Sequence, residues 1–305
     1  MNYTVDVIIP AYKPGPSFQE LLDRLTRQTY PVRRILVINT EESLYPADQI
    51  RQPENMELYH ITRDEFDHGT TRNRAAQMAD SDLMLFMTQD ALPADKHLVA
   101  NLVAAFKDET VGAAYARQIA HRDHSLIERY TRQFNYPAKS FVKRSADLGR
   151  LGIKTFFCSD ACAMYRRSLY LELGGFRPQA IFNEDMLFAS ELIYGGYGIA
   201  YQADARVIHS HDYTGMEQLK RNFDNGVSQA LNPRVFADVP AYGEGMKLVK
   251  KTAICLIRHG EGKEVFRLIW LSACKMIGFS LGKSYFKLPK PLIMKLTSNK
   301  EYWTD

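Results

Sequence analysis

The chain has little of what a small secreted protein or a membrane-spanning one needs. Four cysteines in 305 residues are too few for a disulfide scaffold, so reduced thiols of a cytosolic protein are expected. No run reaches the roughly 18 uncharged apolar residues that would span a bilayer. The best stretch, VFRLIWLSACKMIGFSLG at 265–282, is interrupted by Arg267 and Lys275. Asp6 breaks the first apolar residues, which argues against an export leader. There is no Gly-rich loop with a lysine near the start, which argues against a nucleotidyltransferase. Internal repeats and low-complexity segments are missing too. The net charge of +4 is mild, and no nucleic-acid partner is expected. That charge is unevenly placed: from Gly243 to Asp305 there are 12 Lys/Arg against 5 Asp/Glu.

What is present is a rhythm of short apolar runs and helical patterns. VDVIIP (5–10), RILVIN (34–39), MELYHI (56–61), LMLFM (83–87) and VGAAYARQI (111–119) read as strands. FQELLDRLTRQ (18–28), TRNRAAQMA (71–79) and KHLVANLVAAFKD (96–108) read as helices between them. Continuous apolar strands alternating with helices predict an α/β fold with a mainly parallel central sheet covered by helices. Ligands of such sheets bind at the carboxyl ends of the strands, where Asp90 follows LMLFM. Further on, CAMYRRSLYLELGGF (162–176), NEDMLFASELIYGGYG (183–198) and MEQLKRNFDNGVSQAL (216–231) read as helices, and ARVIHSHDY (205–213) as a strand. Residues 120–157, rich in Arg, Lys and aromatics without clear periodicity, read as a long functional excursion. Two regions are expected: a catalytic domain over 1–235 and a basic helical C-terminal region over 236–305.

IPAYKPG (9–15), HGTTRN (68–73), TQDALP (88–93), LGGF (173–176) and NEDMLFA (183–189) stand in an order that resembles family-2 glycosyltransferases of the GT-A fold. FDHGTTRN, TQDA and the NED triplet resemble the bacterial rhamnosyltransferase branch. The resemblance covers roughly residues 5–231. It implies an inverting sugar transferase using a nucleotide-sugar donor, with dTDP-β-L-rhamnose favoured and UDP-hexoses or UDP-GlcNAc as alternatives. A non-catalytic nucleotide-sugar-binding subunit is a further alternative, since Thr88-Gln89-Asp90 keeps only the last acid of the family's D-x-D pattern. The departing diphosphate gains negative charge, which a divalent metal (Mg²⁺ or Mn²⁺) can stabilise. Asp90 is then its first ligand. His209 or His211 is the second, since alternation along VIHSH puts both imidazoles on one face. Cys158 and Cys162 with His209 and His211 offer a structural-zinc alternative at unusual spacings.

The resemblance also distributes the remaining roles. In NEDMLFA it assigns the catalytic base to Asp185 with Glu184 beside it; Asn183 would cap the helix, whose dipole favours ionised acids in its first turn. On the donor side it points to Pro10, Ala11, Tyr12, Asn39, Glu41, His68, Gly69, Arg72 and Gln89. Gly69 would let the backbone approach a ligand and Thr70 or Thr71 would cap the helix. Arg72 could fork onto a phosphate or bridge to an acid. Arg117, Gln118, Arg132 and Tyr136, with Arg129, Lys139, Lys143 and Arg144 nearby, could receive the acceptor, a lipid-linked glycan. The basic, apolar tail suits the anionic inner surface of the cytoplasmic membrane or a homo-oligomer interface.

Overall fold

A computed structural model describes residues 2–237 and 244–304; residues 238–243, where the basic tail begins in the sequence reading, lie outside the described residues. The strands are β1 (Val5–Tyr12), β2 (Arg34–Thr40), β3 (Met56–Ile61), β4 (Leu83–Met87), β5 (Leu92–Pro93), β6 (Val111–Ile119), β7 (Phe141–Lys143), β8 (Cys162–Arg166) and β9 (Gly198–Ile208). The α-helices are α1 (Pro16–Thr26), α2 (His68–Met78), α3 (Leu98–Val103), α4 (Leu126–Asn135), α5 (Leu148–Leu151), α6 (Arg167–Glu172), α7 (Glu184–Tyr194), α8 (Gly215–Leu231), α9 (Pro233–Phe236), α10 (Glu244–Arg258), α11 (Glu264–Lys283) and α12 (Lys290–Leu296).

The chain forms two compact units. The first comprises Met1–Ile119, Tyr136–Gln179 and Glu184–His209, and the second Ala120–Asn135, Ala180–Asn183 and Ser210–Asp305. The first is built on a nine-stranded sheet of order β3-β2-β1-β4-β8-β6-β9-β5, with β7 on β9. β1 to β4 pair in parallel, as do β6 and β9. β8 runs antiparallel between β4 and β6, and β5 and β7 run antiparallel to β9. The sheet is therefore mixed. CAMYR, read from its pattern as helix, is the antiparallel strand at the centre of the sheet; only the following residues, 167–172, are helical.

Side-chain parity divides the core. Val5, Val7 and Ile9 of β1 pack with Phe18, Leu21 and Leu22 of α1 and Leu98 and Leu102 of α3 on one face. On the other, Phe86 and Tyr165 meet Tyr170, Phe176 and Phe188, with ring centroids 5.4–5.8 Å from Phe86 or Tyr165. Successive residues of a strand point to opposite faces, so both layers are filled by one apolar run.

The second unit is helical. Phe223 and Val227 of α8 join Ile181 and Ile293 in one cluster, and Ile127, Leu256 and Leu268 form another. α8 and α11 pack with backbones in near contact: a Cβ on Gly278 would fall 2.1 Å from the Leu219 carbonyl, and one on Gly282 2.1 Å from that of Phe223. α11 is long and apolar enough to cross a membrane by length and composition, with 22% of its apolar window buried. Of residues 120–157, which showed no clear periodicity, 120–135 belong to this unit and contain the amphipathic α4, while 136–157 belong to the first unit and hold α5 and β7.

Candidate active site

β4 is buried throughout and ends at Met87; a turn follows, closed by the Ala91 N–H on the Thr88 carbonyl at 3.1 Å. Gln89 uses its amide as a strand would. Its Oε1 accepts from the Tyr12 N–H at 2.9 Å and its Nε2 donates to the Tyr12 carbonyl at 3.0 Å, clamping the end of β1 to the turn. Asp90 then projects with its side chain 38% exposed, and the Nε2 of His209 lies 3.6 Å from its Oδ1. β9 ends at Ile208, so His209 and His211 follow the strand and the alternation expected of them does not apply. His209 is fixed instead by its own N–H on the Ile119 carbonyl at 3.0 Å and by its ring. Gln118 donates from Nε2 to Ser159 Oγ at 2.8 Å, which leaves its Oε1 to accept from His209 Nδ1–H at 3.0 Å. That acceptor requires the proton on Nδ1, so in the neutral imidazole Nε2 presents its lone pair toward Asp90. Asp90 and His209 make an acid–imidazole pair of the kind that can ligate a metal ion; the ring of His211, two residues further along the chain, packs against that of Tyr213 at 5.2 Å. A carboxylate oxygen and a neutral imidazole nitrogen facing one another suit a divalent cation.

The second part of the site begins at α2. Its N-cap is Asp67, whose carboxylate accepts from the Thr70 N–H at 2.7 Å, so neither threonine is the cap. At Gly69 the close neighbour is the chain itself: a Cβ there would lie 2.4 Å from the Arg177 carbonyl. The next residues reach across the fold. Asn73 accepts from Tyr170 Oη at 2.6 Å and the Phe176 N–H at 2.9 Å, and donates to the Phe176 carbonyl at 2.7 Å. It thereby pins LGGF, where Gly175 sits at φ +67° with no room for a Cβ beside Asn73 and the Tyr170 ring. Arg72 is buried. Its Nη1 donates to the His68 carbonyl at 3.0 Å and lies 3.4 Å from Glu184, while its Nε is 3.6 Å from Asp160 Oδ2.

Asp185 is half-buried in the first turn of α7. Its Oδ1 accepts from the Met186 N–H at 2.7 Å and its Oδ2 from the Asp160 N–H at 3.4 Å. Burial raises its pKa to about 7, with the charge of Glu184 adding to the rise and the two N–H groups and Arg72 opposing it. Asn183, expected as the cap of this helix, has φ +65° and donates to Asn225 at 2.8 Å and Ser228 at 3.4 Å.

Residues 159–161 tie the two parts together within the first unit. Ser159 accepts from Gln118 behind His209, Asp160 donates its N–H to Asp185, and the Ala161 carbonyl accepts from the Thr88 N–H at 3.3 Å. Ser159 and Asp160 had no signal of their own in the sequence, and the strand they precede, β8, was itself read as helix.

The other expected residues divide by environment. Tyr12 is 39% exposed beside the buried Ala11, with Pro10 between the classes. Asn39 is buried; its Nδ2 donates to the Glu41 carbonyl at 3.0 Å and lies 3.0 Å from His60 Nδ1. Glu41 takes φ +65° and its carboxylate accepts from the Arg63 N–H. His68 packs edge-on against Phe66. On the acceptor side, Arg117 is half-buried, but Gln118 is enclosed and committed to His209 and Ser159. Tyr136 is buried against Phe157 and Tyr201, and Arg132 pairs with Glu128 at 2.6 Å. Lys143 is buried as well, donating to the Lys154 and Phe157 carbonyls. The four cysteines are free.

A mixed sheet with an acid and a histidine at its strand ends, and a helix carrying two acids in its first turn bound to the same end, is the arrangement of a GT-A sugar transferase. The model of glycosyl transferase family 2 matches residues 6–174, and the chain belongs to that family; it is a glycosyltransferase. It is 37% identical over 306 residues, 99% of this chain and 96% of the relative, to the O-antigen chain rhamnosyltransferase RfbN of Salmonella typhimurium. It is 34% identical over 302 residues, 98% and 95% of the two chains, to the O-antigen chain rhamnosyltransferase WbaN of Salmonella anatum. Among solved structures it resembles the mannosyltransferase PcManGT of Pyrobaculum calidifontis in complex with GDP-Man and Mn²⁺, with TM-score 0.58, 17% identity, and 100% of this chain and 84% of that one covered. It also resembles S. aureus TarS 1–349 in complex with UDP-GlcNAc, with TM-score 0.55, 14% identity, and coverage of 93% and 91%. These two likenesses bear on the fold.

Proposed function

We propose that the chain transfers L-rhamnose, with inversion, from dTDP-β-L-rhamnose to a hydroxyl of a lipid-linked cell-surface glycan. The observation that carries the chemistry is the segment 159–161, which holds the Asp90 turn, the His209 support and the Asp185 carboxyl at one end of one sheet. Full-length relationship to two O-antigen chain rhamnosyltransferases supports the choice of sugar and of glycan.

Asp90 and His209 would hold a divalent ion, and Mn²⁺ in a protein of the same fold supports that choice. The ion supplies Lewis-acid neutralisation of the charge that grows on the departing diphosphate. Gln118 keeps His209 in the ligating tautomer. Pro10, Ala11, Tyr12, Asn39 and Glu41 take the nucleotide side, with Gln89 holding Tyr12 in register. Asp185 faces the incoming hydroxyl and takes its proton as the bond to the sugar forms. Arg72 keeps Glu184 near that base.

The acceptor's lipid places the reaction at the inner face of the cell membrane. Phe266, Ile269, Trp270, Met276 and Ile277 recur at helical spacing on α11 and are 48–78% exposed. The same region carries the excess of lysine and arginine. An apolar stripe flanked by cations suits an anionic lipid surface, and the glycines of the opposite side commit α11 to α8.

A panel of nucleotide sugars tests the donor. Metal-dependent turnover and saturation with dTDP-rhamnose but not with UDP-glucose or UDP-GlcNAc is expected; saturation with a UDP-sugar alone would replace the assignment.

A further inference from the structure

Asp160 lies outside every motif, yet its carboxyl is among the most enclosed acids of the first unit, 4% exposed. Its Oδ1 accepts from Tyr165 Oη at 2.6 Å. Its Oδ2 and the Nε of Arg72 are 3.6 Å apart, and both are buried without a hydrogen-bond partner. An ionised carboxylate beside a guanidinium closes to about 2.7–2.9 Å and uses such an N–H. This one has not closed, and neither has Glu184, 3.4 Å from Nη1 of the same guanidinium.

The charges around it give the reason. One guanidinium, Arg72, faces three carboxyl groups, Asp160, Glu184 and Asp185. If all three were ionised, the enclosure would hold two uncompensated negative charges, which protein interiors avoid by keeping a proton. The other titratable groups around Asp160 are Tyr165, Tyr170, Cys158 and Cys162, whose protons burial holds, so none adds a positive charge. Among the acids, Asp185 accepts two backbone N–H bonds, which favour its anion, and Glu184 keeps some solvent contact. Asp160 has one hydroxyl donor and an oxygen with none. Burial also pushes its pKa well above the ordinary carboxylate range, with Asp185 adding to the rise and Arg72 opposing it.

We propose that Asp160 is a positioning residue of this site, held as the neutral carboxylic acid and bound to Tyr165, so that the single positive charge of Arg72 is left to Glu184 and Asp185. Asp160 keeps its proton through the cycle; the proton from the acceptor hydroxyl goes to Asp185. The inference rests on the reading of Asp185 as the base.

The test is infrared difference spectroscopy of the full chain at neutral pH, comparing wild type with Asp160→Asn, alongside pH–rate profiles. The carbonyl band of a protonated carboxylic acid should be lost in Asp160→Asn. Asparagine keeps the neutral shape, so its kcat should lie within about tenfold of wild type, whereas Asp160→Leu should lower kcat on the order of 100-fold with donor KM little changed. The acid limb of kcat/KM in Asp160→Asn should stay within about half a pH unit; a fall of more than about one unit would mean a charge had been removed. That fall, or the absence of the carbonyl band in wild type, overturns the proposal. If Asp160→Leu does not fold, the band and the limb still decide it. Wild-type turnover in Asp185→Asn would instead overturn the base assignment, and the band would still report on Asp160.

Discussion

Asp90 stands in a turn with over a third of its side chain exposed, beside one imidazole whose tautomer is set from behind. Asp185, at the same end of the sheet, is crowded by Glu184, the buried Asp160 and one arginine. In the proposed function the two acids are the same side chain put to opposite uses. An acid that must take up a cation with its hydration shell, and later release it with a leaving diphosphate, needs access to water. An acid that must accept a proton near neutral pH needs its proton affinity raised, and partial removal from water does that.

The sharpest way to break the comparison is Asp185→Asn. It should lower kcat by about 10²–10⁴-fold, the usual range for loss of a general base, in a donor-consumption assay with acceptor, and leave donor binding nearly intact. Equal losses from both would mean that Asp185 holds the donor. On the metal side, Gln118→Ala removes the support of His209 along with the bond to Ser159 and should weaken metal affinity by about 10–100-fold, measured by calorimetry, with the acid limb unmoved.

The pH dependence separates the two acids further. Activity should rise with pH along a limb near 7, the value to which burial raises Asp185. Because that pKa lies above the ordinary 3.8, the group's contribution to stability is full below the ordinary value and lost as pH rises through about 7. Asp185→Asn should therefore gain in Tm relative to wild type at pH 8 and show no such gain at pH 4. A gain at both would point to relief of packing.

The legible parts of the molecule are those in which a local pattern suffices. β1, β2, β3, β4 and β6 are continuous apolar runs, and α8 carries its own start signal, the Thr214–Glu217 capping box. β8 was illegible because CAMYR runs into RSLYLE with no glycine or proline at Arg166–Arg167, so the combined stretch has helical spacing while its first half pairs in the sheet. The site divides in the same way. Asp90 and Asp185 sit in motifs, while Asp160 has meaning only through Tyr165, Arg72 and Asp185, which the fold brings to it from β8, α2 and α7. Gln118 was legible as a polar residue at a strand end, but its partner His209 lies across a strand pairing, β6 on β9, that no local pattern records.

Mn²⁺ affinity measured by electron paramagnetic resonance on wild type, Asp90→Asn and Asp185→Asn tests the division most directly. The account predicts that Asp90→Asn loses the bound ion while Asp185→Asn binds it within about twofold of wild type and turns over poorly. Loss of the ion from Asp185→Asn, with Asp90→Asn binding normally, would contradict it.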